Sequence, residues 1–230
     1  MLSPTPSSFG YPSDNMQANY YPGDDRITRD EIALVSKVLE AQNIEPENTR
    51  VLKTTTADKC VLHVLQASTT TECLREWEDV DGVGTAVRLE SGDHAEEMSK
   101  ICASLLKAKE FCENETQAKI IDHYISSFQS GSLISYRDSQ KLWVTDKSPS
   151  IEIIIGFVEP YRDPHGVRGE WESIVCISDP VESSRLKHFV DKSDAFIRAL
   201  PWAVPGVNAG KGPFEKDLFE PPDFASVHGL

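Results

Sequence analysis

Long apolar runs are absent from the sequence: no window approaches the roughly 18 uninterrupted apolar residues that span a bilayer. The N-terminus also lacks a basic region followed by an apolar stretch, so no secretory signal is predicted. Basic residues are scarce, because 23 Lys and Arg face 37 Asp and Glu, giving a formal net charge of −14 at pH 7. Such a chain repels phosphate backbones and anionic lipid surfaces. We therefore expect a cytoplasmic protein whose partners are neither nucleic acids nor membranes.

Motifs for metal binding and nucleophilic catalysis are also missing. The 5 cysteines form no Cys-x-x-Cys pair, and their odd number argues against a disulfide framework and against a thiolate metal site. None of the 6 histidines is followed by Glu and then a second His, the spacing typical of zinc helices. No Gly-x-Ser-x-Gly elbow and no Gly-rich phosphate loop occurs. Motifs alone therefore predict no reaction, and no metal ligand is assigned.

The composition that remains is that of a globular chain. Its 230 residues, 39% hydrophobic and 26% charged, suffice for one or two domains. Thr28 followed by Glu31 forms a capping box, and Ile27 with Ile32 occupies the two positions of a hydrophobic staple. Apolar residues then recur at helical spacing. The pattern predicts an amphipathic helix that ends near Ala41.

Short β-branched or alternating runs follow this helix and predict antiparallel strands. Two segments with helical periodicity come next; the first opens with Asp93 as its predicted cap, and together they indicate a helical hairpin that packs on the strands. The predicted strands are Val51–Thr54, Val61–Ala67 and Thr85–Glu90, and the predicted helices are 92–112 and 115–129.

The C-terminal half opens with the densest apolar run, Ile151–Phe157, which predicts a buried strand. Turn residues follow, and Trp171–Ile177 then resumes a strand, so the pair indicates a hairpin with a long loop. A final helix is predicted from Val181 to Leu200, where Pro201 stops it. Helices and strands of this kind predict an α+β fold.

Ionisable side chains are concentrated in the loop of this hairpin. Glu159 and Glu172 flank two antiparallel strands, so their carboxylates are expected to approach each other while Tyr161 points from the same rim. Two neighbouring acids repel unless a cation lies between them. Either Arg162 and Arg168 neutralise the acids within a structural loop, or the acids bind an ammonium group such as a peptide N-terminus. The residue pattern leaves both readings open.

The same stretch resembles the dipeptidyl peptidase III family of zinc-dependent exopeptidases. The segment that carries the resemblance is Ile-Gly-Phe-Val-Glu-Pro-Tyr-Arg-Asp-Pro-His-Gly-Val-Arg-Gly-Glu-Trp-Glu, residues 155–172. Pro160, His165 and Val167 depart from the family pattern. Weaker similarities are collinear with it: Tyr20-Tyr21 and the helix that follows, Asn48–Arg50, Trp143–Pro149, Leu200–Trp202, Phe214–Phe219 and Pro222–Phe224.

The resemblance implies a two-lobed hydrolase that removes dipeptides from the N-termini of short peptides. It implies a lobe with a partial antiparallel β-barrel and packed helices, and one helix that belongs to a mostly helical zinc lobe. The corresponding domain limits are an irregular or disordered lead-in at 1–26, the barrel-type lobe at 27–180, and the start of the zinc lobe at 181–230.

Residue by residue, the resemblance assigns Glu159 and Glu172 to the binding of the substrate's free α-ammonium. It assigns Tyr161 both to substrate binding and to catalysis, at the scissile carbonyl. Zinc is the cofactor of the full-length family, bound through a His-Glu-x-x-Gly-His helix and a later Glu motif that this sequence does not contain. No zinc is therefore expected to bind this chain.

Two functions follow as expectations. The first is the substrate-anchoring portion of a dipeptidyl peptidase, a metalloprotease with aminopeptidase activity, in the form of a fragment that is inactive alone because an activated water is missing. The alternative is a noncatalytic peptide-binding or interaction module, derived from that family, whose ligands are short peptides with a free N-terminus.

Overall fold

A computed structural model of the protein describes residues 8–57, 59–213 and 225–229. These residues form an α+β fold, which confirms the predicted class. The helices are α1 (Arg29–Ala41), α2 (Ala95–Lys109), α3 (Glu115–Ser130), α4 (Leu133–Trp143), α5 (Pro180–Asp191) and α6 (Ser193–Arg198). The strands are β1 (Ser8–Phe9), β2 (Met16–Gln17), β3 (Thr49–Thr55), β4 (Cys60–Ala67), β5 (Cys73–Trp77), β6 (Thr85–Asp93), β7 (Ile151–Phe157), β8 (Trp171–Ser178) and β9 (Val227–Gly229).

The chain divides into two compact units. The first contains Met1–Val144 and Ile155–Ser173, and the second contains Thr145–Ile154 and Ile174–Leu230. The domain limits expected at residues 26 and 180 stay predictions. The family-like segments 214–219 and 222–224 lie outside the described residues.

Helix α1 forms as its sequence predicts. The Thr28 hydroxyl accepts a hydrogen bond from the Glu31 N–H (3.3 Å), while the Glu31 carboxylate accepts one from the Thr28 N–H (2.7 Å). Both halves of the capping box are therefore made. The buried face of α1, Ile32, Val35 and Leu39, joins one apolar cluster with the sheet residues Val51, Leu62, Val64, Val87 and Leu89.

The central sheet has the strand order β3-β4-β6-β5. Strands β3 and β4 pair antiparallel, as predicted, but β4 and β6 pair parallel, which corrects the expectation that all the strands are antiparallel. The reason is β5, a strand that the sequence analysis missed, which reverses the chain once between β4 and β6 and pairs with the outer side of β6. Four of the five residues of β5 are exposed, so its sequence lacks the apolar alternation from which a strand is predicted.

Helices α2, α3 and α4 follow the sheet, and the first two form the predicted hairpin, with an ion pair between Lys109 and Asp122 (2.6 Å). Asp93 does not cap α2, contrary to the prediction. It is the last residue of β6, and its carboxylate instead accepts hydrogen bonds from Nε and Nη2 of Arg50 at 2.7 and 2.5 Å. His94, in a left-handed conformation, takes the cap position without a side-chain bond. A bidentate arginine competes successfully for a carboxylate because both partners are charged.

The hairpin strands β7 and β8 confirm the predicted pair. The predicted burial of β7 is wrong, because only Ile155 and Gly156 are buried and Ile151 is 49% exposed; an apolar run indicates a strand but not what covers it. Aromatic rings support its loop end: Trp171 lies 5.3 Å from Phe128 of α3 and 5.1 Å from Phe157 of β7, measured between ring centroids. Gly156 allows the close approach of α4, because a Cβ at this position would lie 2.4 Å from Cε2 of Tyr136. The loop end of the hairpin therefore rests on α3 and α4.

The second unit contains α5 and α6 where one helix, Val181–Leu200, was predicted. Asp179 caps α5 by accepting hydrogen bonds from the N–H groups of Val181 and Glu182. Helix α5 ends at Asp191, and Lys192 (φ −97°, ψ 0°) is the C-cap that separates it from α6. Short polar side chains surround this break, and such residues compete with the helix for backbone hydrogen bonds. The single-helix prediction is therefore wrong at Lys192.

The described strands form a two-stranded, a four-stranded and a three-stranded sheet, and none of these closes into a barrel. The partial barrel implied by the resemblance stays a prediction. No helix in the described ranges is both long enough and apolar enough to cross a bilayer.

The capping box gives a stability prediction. Replacement Thr28→Ala is expected to lower the free energy of unfolding by about 1 kcal/mol, because the Glu31 N–H loses its partner at the helix start. Urea unfolding followed by circular dichroism measures the change. Ser104→Ala, on the exposed face of α2, is the matched control and is expected to leave stability unchanged or slightly raised. Equal unfolding curves for wild type and Thr28→Ala would contradict the prediction.

Candidate functional site

The loop between β7 and β8 is closed at its base by two backbone hydrogen bonds. The Val158 N–H donates to the Glu170 carbonyl (3.0 Å), and the Glu170 N–H donates to the Glu159 carbonyl (2.8 Å). At the far end, the Gly166 N–H donates to the Asp163 carbonyl (2.9 Å), and Gly166 has a φ of 76°, which favours glycine. The rim of the hairpin therefore has a defined backbone.

Tyr161 and Glu172 meet on this rim. The Tyr161 hydroxyl donates a hydrogen bond to Oε1 of Glu172 at 3.1 Å. Tyr161 is 64% exposed and Glu172 is half-buried. The hydrogen bond to Glu172 is the main cause that raises the pKa of Tyr161 above its ordinary value, because the carboxylate stabilises the protonated phenol. Tyr161 therefore stays protonated and donates a hydrogen bond at neutral pH.

Glu159 lies at the same end of the hairpin, two residues after the end of β7, and is exposed. Its carboxylate makes no hydrogen bond or ion pair with another residue that the structure describes, and its backbone faces Glu170 rather than Glu172. The structure thus brings Tyr161 and Glu172 into contact and leaves the Glu159 side chain without a contact to either. The joint action of the three side chains stays a prediction.

The two loop arginines bind other acids. Arg162 lies over the Tyr161 ring (5.8 Å to the centroid), and its Nη1 reaches Oε1 of Glu170 at 3.5 Å. Arg168 is fully buried, with Nη1 at 3.8 Å from Oδ2 of Asp163. Within the described residues neither guanidinium pairs with Glu159 or Glu172, so the structural-loop reading, in which the arginines neutralise these two acids, is wrong.

Glu170 is a third acid at the rim, and the sequence analysis did not single it out. Its carboxylate accepts a hydrogen bond from the Tyr20 hydroxyl at 2.9 Å, in addition to its pair with Arg162. Burial, followed by this hydrogen bond, raises the pKa of Tyr20. Glu170 also lines a cavity of about 130 Å³ with Tyr20 and Trp171, a cavity that none of the three predicted residues lines. The Glu170 carboxylate therefore already has hydrogen-bond and ion-pair partners within the protein.

Asp163 is the other residue that sequence reasoning missed. Its side chain is buried, although Asp is rarely buried without partners. The signal that could have identified it is the run Asp-Pro-His-Gly, in which an Asp side chain commonly accepts hydrogen bonds from the N–H groups that follow.

Tyr136 of α4 lies on the inner side of the rim. Its pKa is raised to about 12, first by burial and then by the negative potentials of Tyr124 and Glu172. Glu172 therefore acts electrostatically on two phenols, one exposed and one half-buried. Both remain protonated at neutral pH, so neither adds negative charge to the rim.

Zinc, which the resemblance implies for the family, needs three or four side-chain ligands that converge on one point. Across residues 8–57, 59–213 and 225–229, no group of three or more His, Cys, Asp or Glu side chains is placed to hold one ion. Glu172 and Glu170 have phenol or arginine partners, Glu159 has no side-chain contact, and no histidine pairs with any of the three among the described residues. These residues do not fit a zinc ion.

Known proteins resemble this chain over most of its length. The sequence profile of peptidase family M49 matches residues 1–230. Dipeptidyl peptidase 3 of Dictyostelium discoideum is 36% identical over 204 residues, which cover 89% of this chain and 28% of that protein. Dipeptidyl peptidase 3 of Nematostella vectensis is 30% identical over 241 residues, which cover 100% of this chain and 32% of that protein. The chain thus spans less than a third of the length of these relatives.

A structural comparison shows the same fold. The structure of DPP III from Caldithrix abyssi matches with a TM-score of 0.51 and 23% sequence identity, over 80% of this chain and 30% of that one. At this identity the likeness concerns the fold alone. Because the profile of the family matches the whole sequence, the chain belongs to peptidase family M49.

Proposed function

We propose that this chain is the substrate-anchoring portion of a dipeptidyl peptidase that removes dipeptides from the N-termini of short peptides. Membership of peptidase family M49 supports the class of reaction. The observation that carries the proposal is the unequal pairing of the rim acids. Glu170 has Arg162 and Tyr20 as partners, whereas Glu159 and Glu172 have no cationic partner among the described residues.

An ammonium group is the ligand that fits these two acids. A peptide's α-ammonium carries three N–H donors and one positive charge, and Glu159 and Glu172 offer carboxylate oxygens on an exposed rim. A carboxyl group would be repelled by the same side chains. The site therefore selects the amino end of a peptide, which is the end from which a dipeptidyl peptidase cuts.

Tyr161 supplies the proton donor. In the free protein its hydroxyl donates to Glu172. When an ammonium group takes over this carboxylate, the phenol is free to donate to a carbonyl of the bound peptide. A phenol aimed at the oxygen on which negative charge develops stabilises the transition state of acyl transfer. This is the role that the family resemblance implies for Tyr161.

We extend the proposal to the lobes of the protein, the zinc ligands and the location in the cell. Residues 27–180 would form the larger part of a β-barrel-bearing lobe and residues 181–230 the start of a zinc lobe, in line with the family resemblance. The zinc would be held by residues other than those described here. A cytoplasmic location is proposed from the sequence alone.

Peptide binding tests the ammonium site. We expect a pentapeptide with a free N-terminus to bind at least about tenfold more tightly than its N-acetylated copy, a difference of roughly 1.4 kcal/mol. Because the charged amine is the ligand, affinity is expected to be full below the amine's pKa of about 8 and to be lost as the pH rises through it. Isothermal titration calorimetry at several pH values measures both effects.

Variants identify the groups involved. Glu159→Gln and Glu172→Gln are each expected to remove the preference for the free amine, because each removes a negative charge at the rim. Glu97→Gln, an exposed residue of α2, changes the net charge equally and is expected to bind like wild type. Equal affinity of the wild-type chain for both peptides would exclude the ammonium site.

Hydrolysis tests the proposed division of labour. The chain alone, with added zinc, is expected to show no turnover of a fluorogenic dipeptidyl arylamide, because peptide cleavage needs an activated water that its sequence has no motif to bind. The full-length Dictyostelium relative serves as the positive control. Turnover that rises with chain concentration and stops on chelation would overturn this expectation.

A further inference from the structure

The buried Asp163 carboxylate organises the loop that carries Tyr161. Its Oδ1 accepts hydrogen bonds from the Tyr21 hydroxyl (2.6 Å) and the His165 N–H (3.0 Å). Its Oδ2 accepts hydrogen bonds from the N–H groups of Val167 (3.1 Å) and Arg168 (3.0 Å). Three of these four donors are backbone groups of the loop itself, so the carboxylate determines how the loop folds back between residues 163 and 168.

Arg168 supplies the positive charge that lies opposite this carboxylate within the protein. The residue is 0% exposed, and its Nη1 lies 3.3 Å from the Tyr21 hydroxyl and 3.8 Å from Asp163. Its guanidinium also lies over the Tyr21 ring, 5.5 Å from the centroid. A buried charge is costly without a partner, so the acid, the base and the phenol depend on one another.

Tyr20 and Tyr21 connect this cluster to the central sheet. The Tyr20 carbonyl accepts a hydrogen bond from the Val51 N–H of β3 at 2.8 Å, which fixes the segment along the sheet edge. The two side chains then contact the loop at two places, with Tyr20 on Glu170 and Tyr21 on Asp163. The segment therefore holds the loop near its base and near its tip.

The positions of these contacts bracket the candidate site. Tyr161 lies two residues before Asp163, and Glu172 lies two residues after Glu170. Neither Tyr20 nor Tyr21 touches Tyr161 or Glu172 among the contacts of the described residues. Any influence of Tyr21 on the site must therefore pass through the backbone of the loop.

We propose that Tyr21, together with Asp163 and Arg168, is a positioning residue that holds the Tyr161 hydroxyl against Glu172, and so sets the geometry in which a peptide's ammonium is bound. The part that concerns the peptide rests on the proposed function. The part that concerns Tyr161 stands on the loop contacts alone.

The test uses the intact chain and the titration of Tyr161. The protein is labelled with ¹³Cζ-tyrosine, and the Tyr161 resonance is assigned by its loss in Tyr161→Phe. Glu172→Gln sets the reference, since it removes the charged partner and is expected to lower the midpoint of Tyr161 towards the ordinary value of about 10. Tyr21→Phe removes a single hydroxyl and is expected to lower the midpoint by at least half of the Glu172→Gln shift.

A matched control separates positioning from loss of stability. Tyr124→Phe also deletes a buried hydroxyl, one that accepts a hydrogen bond from Gln140, and is expected to leave the Tyr161 midpoint unchanged. If Tyr21→Phe does not fold, Arg168→Lys takes its place, since it keeps a cation beside Asp163 but loses the planar group that reaches the Tyr21 hydroxyl. A wild-type midpoint in the folded loop variant overturns the proposal, and so does an equal shift in Tyr124→Phe.

A second arm measures peptide affinity. Tyr21→Phe is expected to weaken binding of the free-amine peptide about fivefold, close to 1 kcal/mol, because ordering a loosened loop on binding costs more than the release of Glu172 from the phenol gains. Binding of the N-acetylated peptide is expected to stay unchanged. If the wild-type chain does not distinguish the two peptides, the proposed function fails while the resonance of Tyr161 still decides the positioning role. If the peptides are distinguished and Tyr21→Phe binds like wild type, the positioning role fails and the proposed function stands.

Discussion

The enclosure of one carboxylate, Asp163, is the constraint on which the geometry of the rim depends. A charge in the protein interior persists only where donors and an opposite charge surround it, and here the loop supplies its own N–H groups and Arg168. The loop cannot change shape without breaking several of these bonds together. The rim side chains Tyr161 and Glu172 are consequently positioned by a backbone that has one favoured conformation.

Local signals in the sequence were sufficient for most elements of the fold. The capping box at Thr28 and the apolar run at Ile151–Phe157 are short-range patterns, and the structure confirms the helix start and the strand, though not the burial predicted for the strand. The errors arose where partners distant in sequence decide the outcome. Asp93 is a good helix cap in isolation, but Arg50 from another strand takes its carboxylate. The parallel pairing of β4 and β6 depends on β5, whose exposed residues carry no periodic signal.

The candidate site shows the same limit. The sequence identified the acids and the phenol of the hairpin, and the structure joins Tyr161 to Glu172. The acids that the two arginines pair with could not be predicted from the sequence, because the pairing depends on the direction in which each side chain points from the loop. Arg162 pairs with Glu170 and Arg168 is buried, which leaves Glu159 and Glu172 without a cation in the described part of the chain. Tyr20 and Tyr21, more than a hundred residues away, could not be connected to the loop from spacing alone.

The bond between Tyr161 and Glu172 has a consequence for discrimination among ligands. The phenol occupies Oε1 of Glu172, so an incoming group competes with it for this oxygen. A neutral amide or hydroxyl would exchange one ordinary hydrogen bond for another and gain little. A cation gains more free energy from the carboxylate than the hydrogen bond of the phenol contributed. The contact between Tyr161 and Glu172 therefore favours cationic ligands over neutral polar ones.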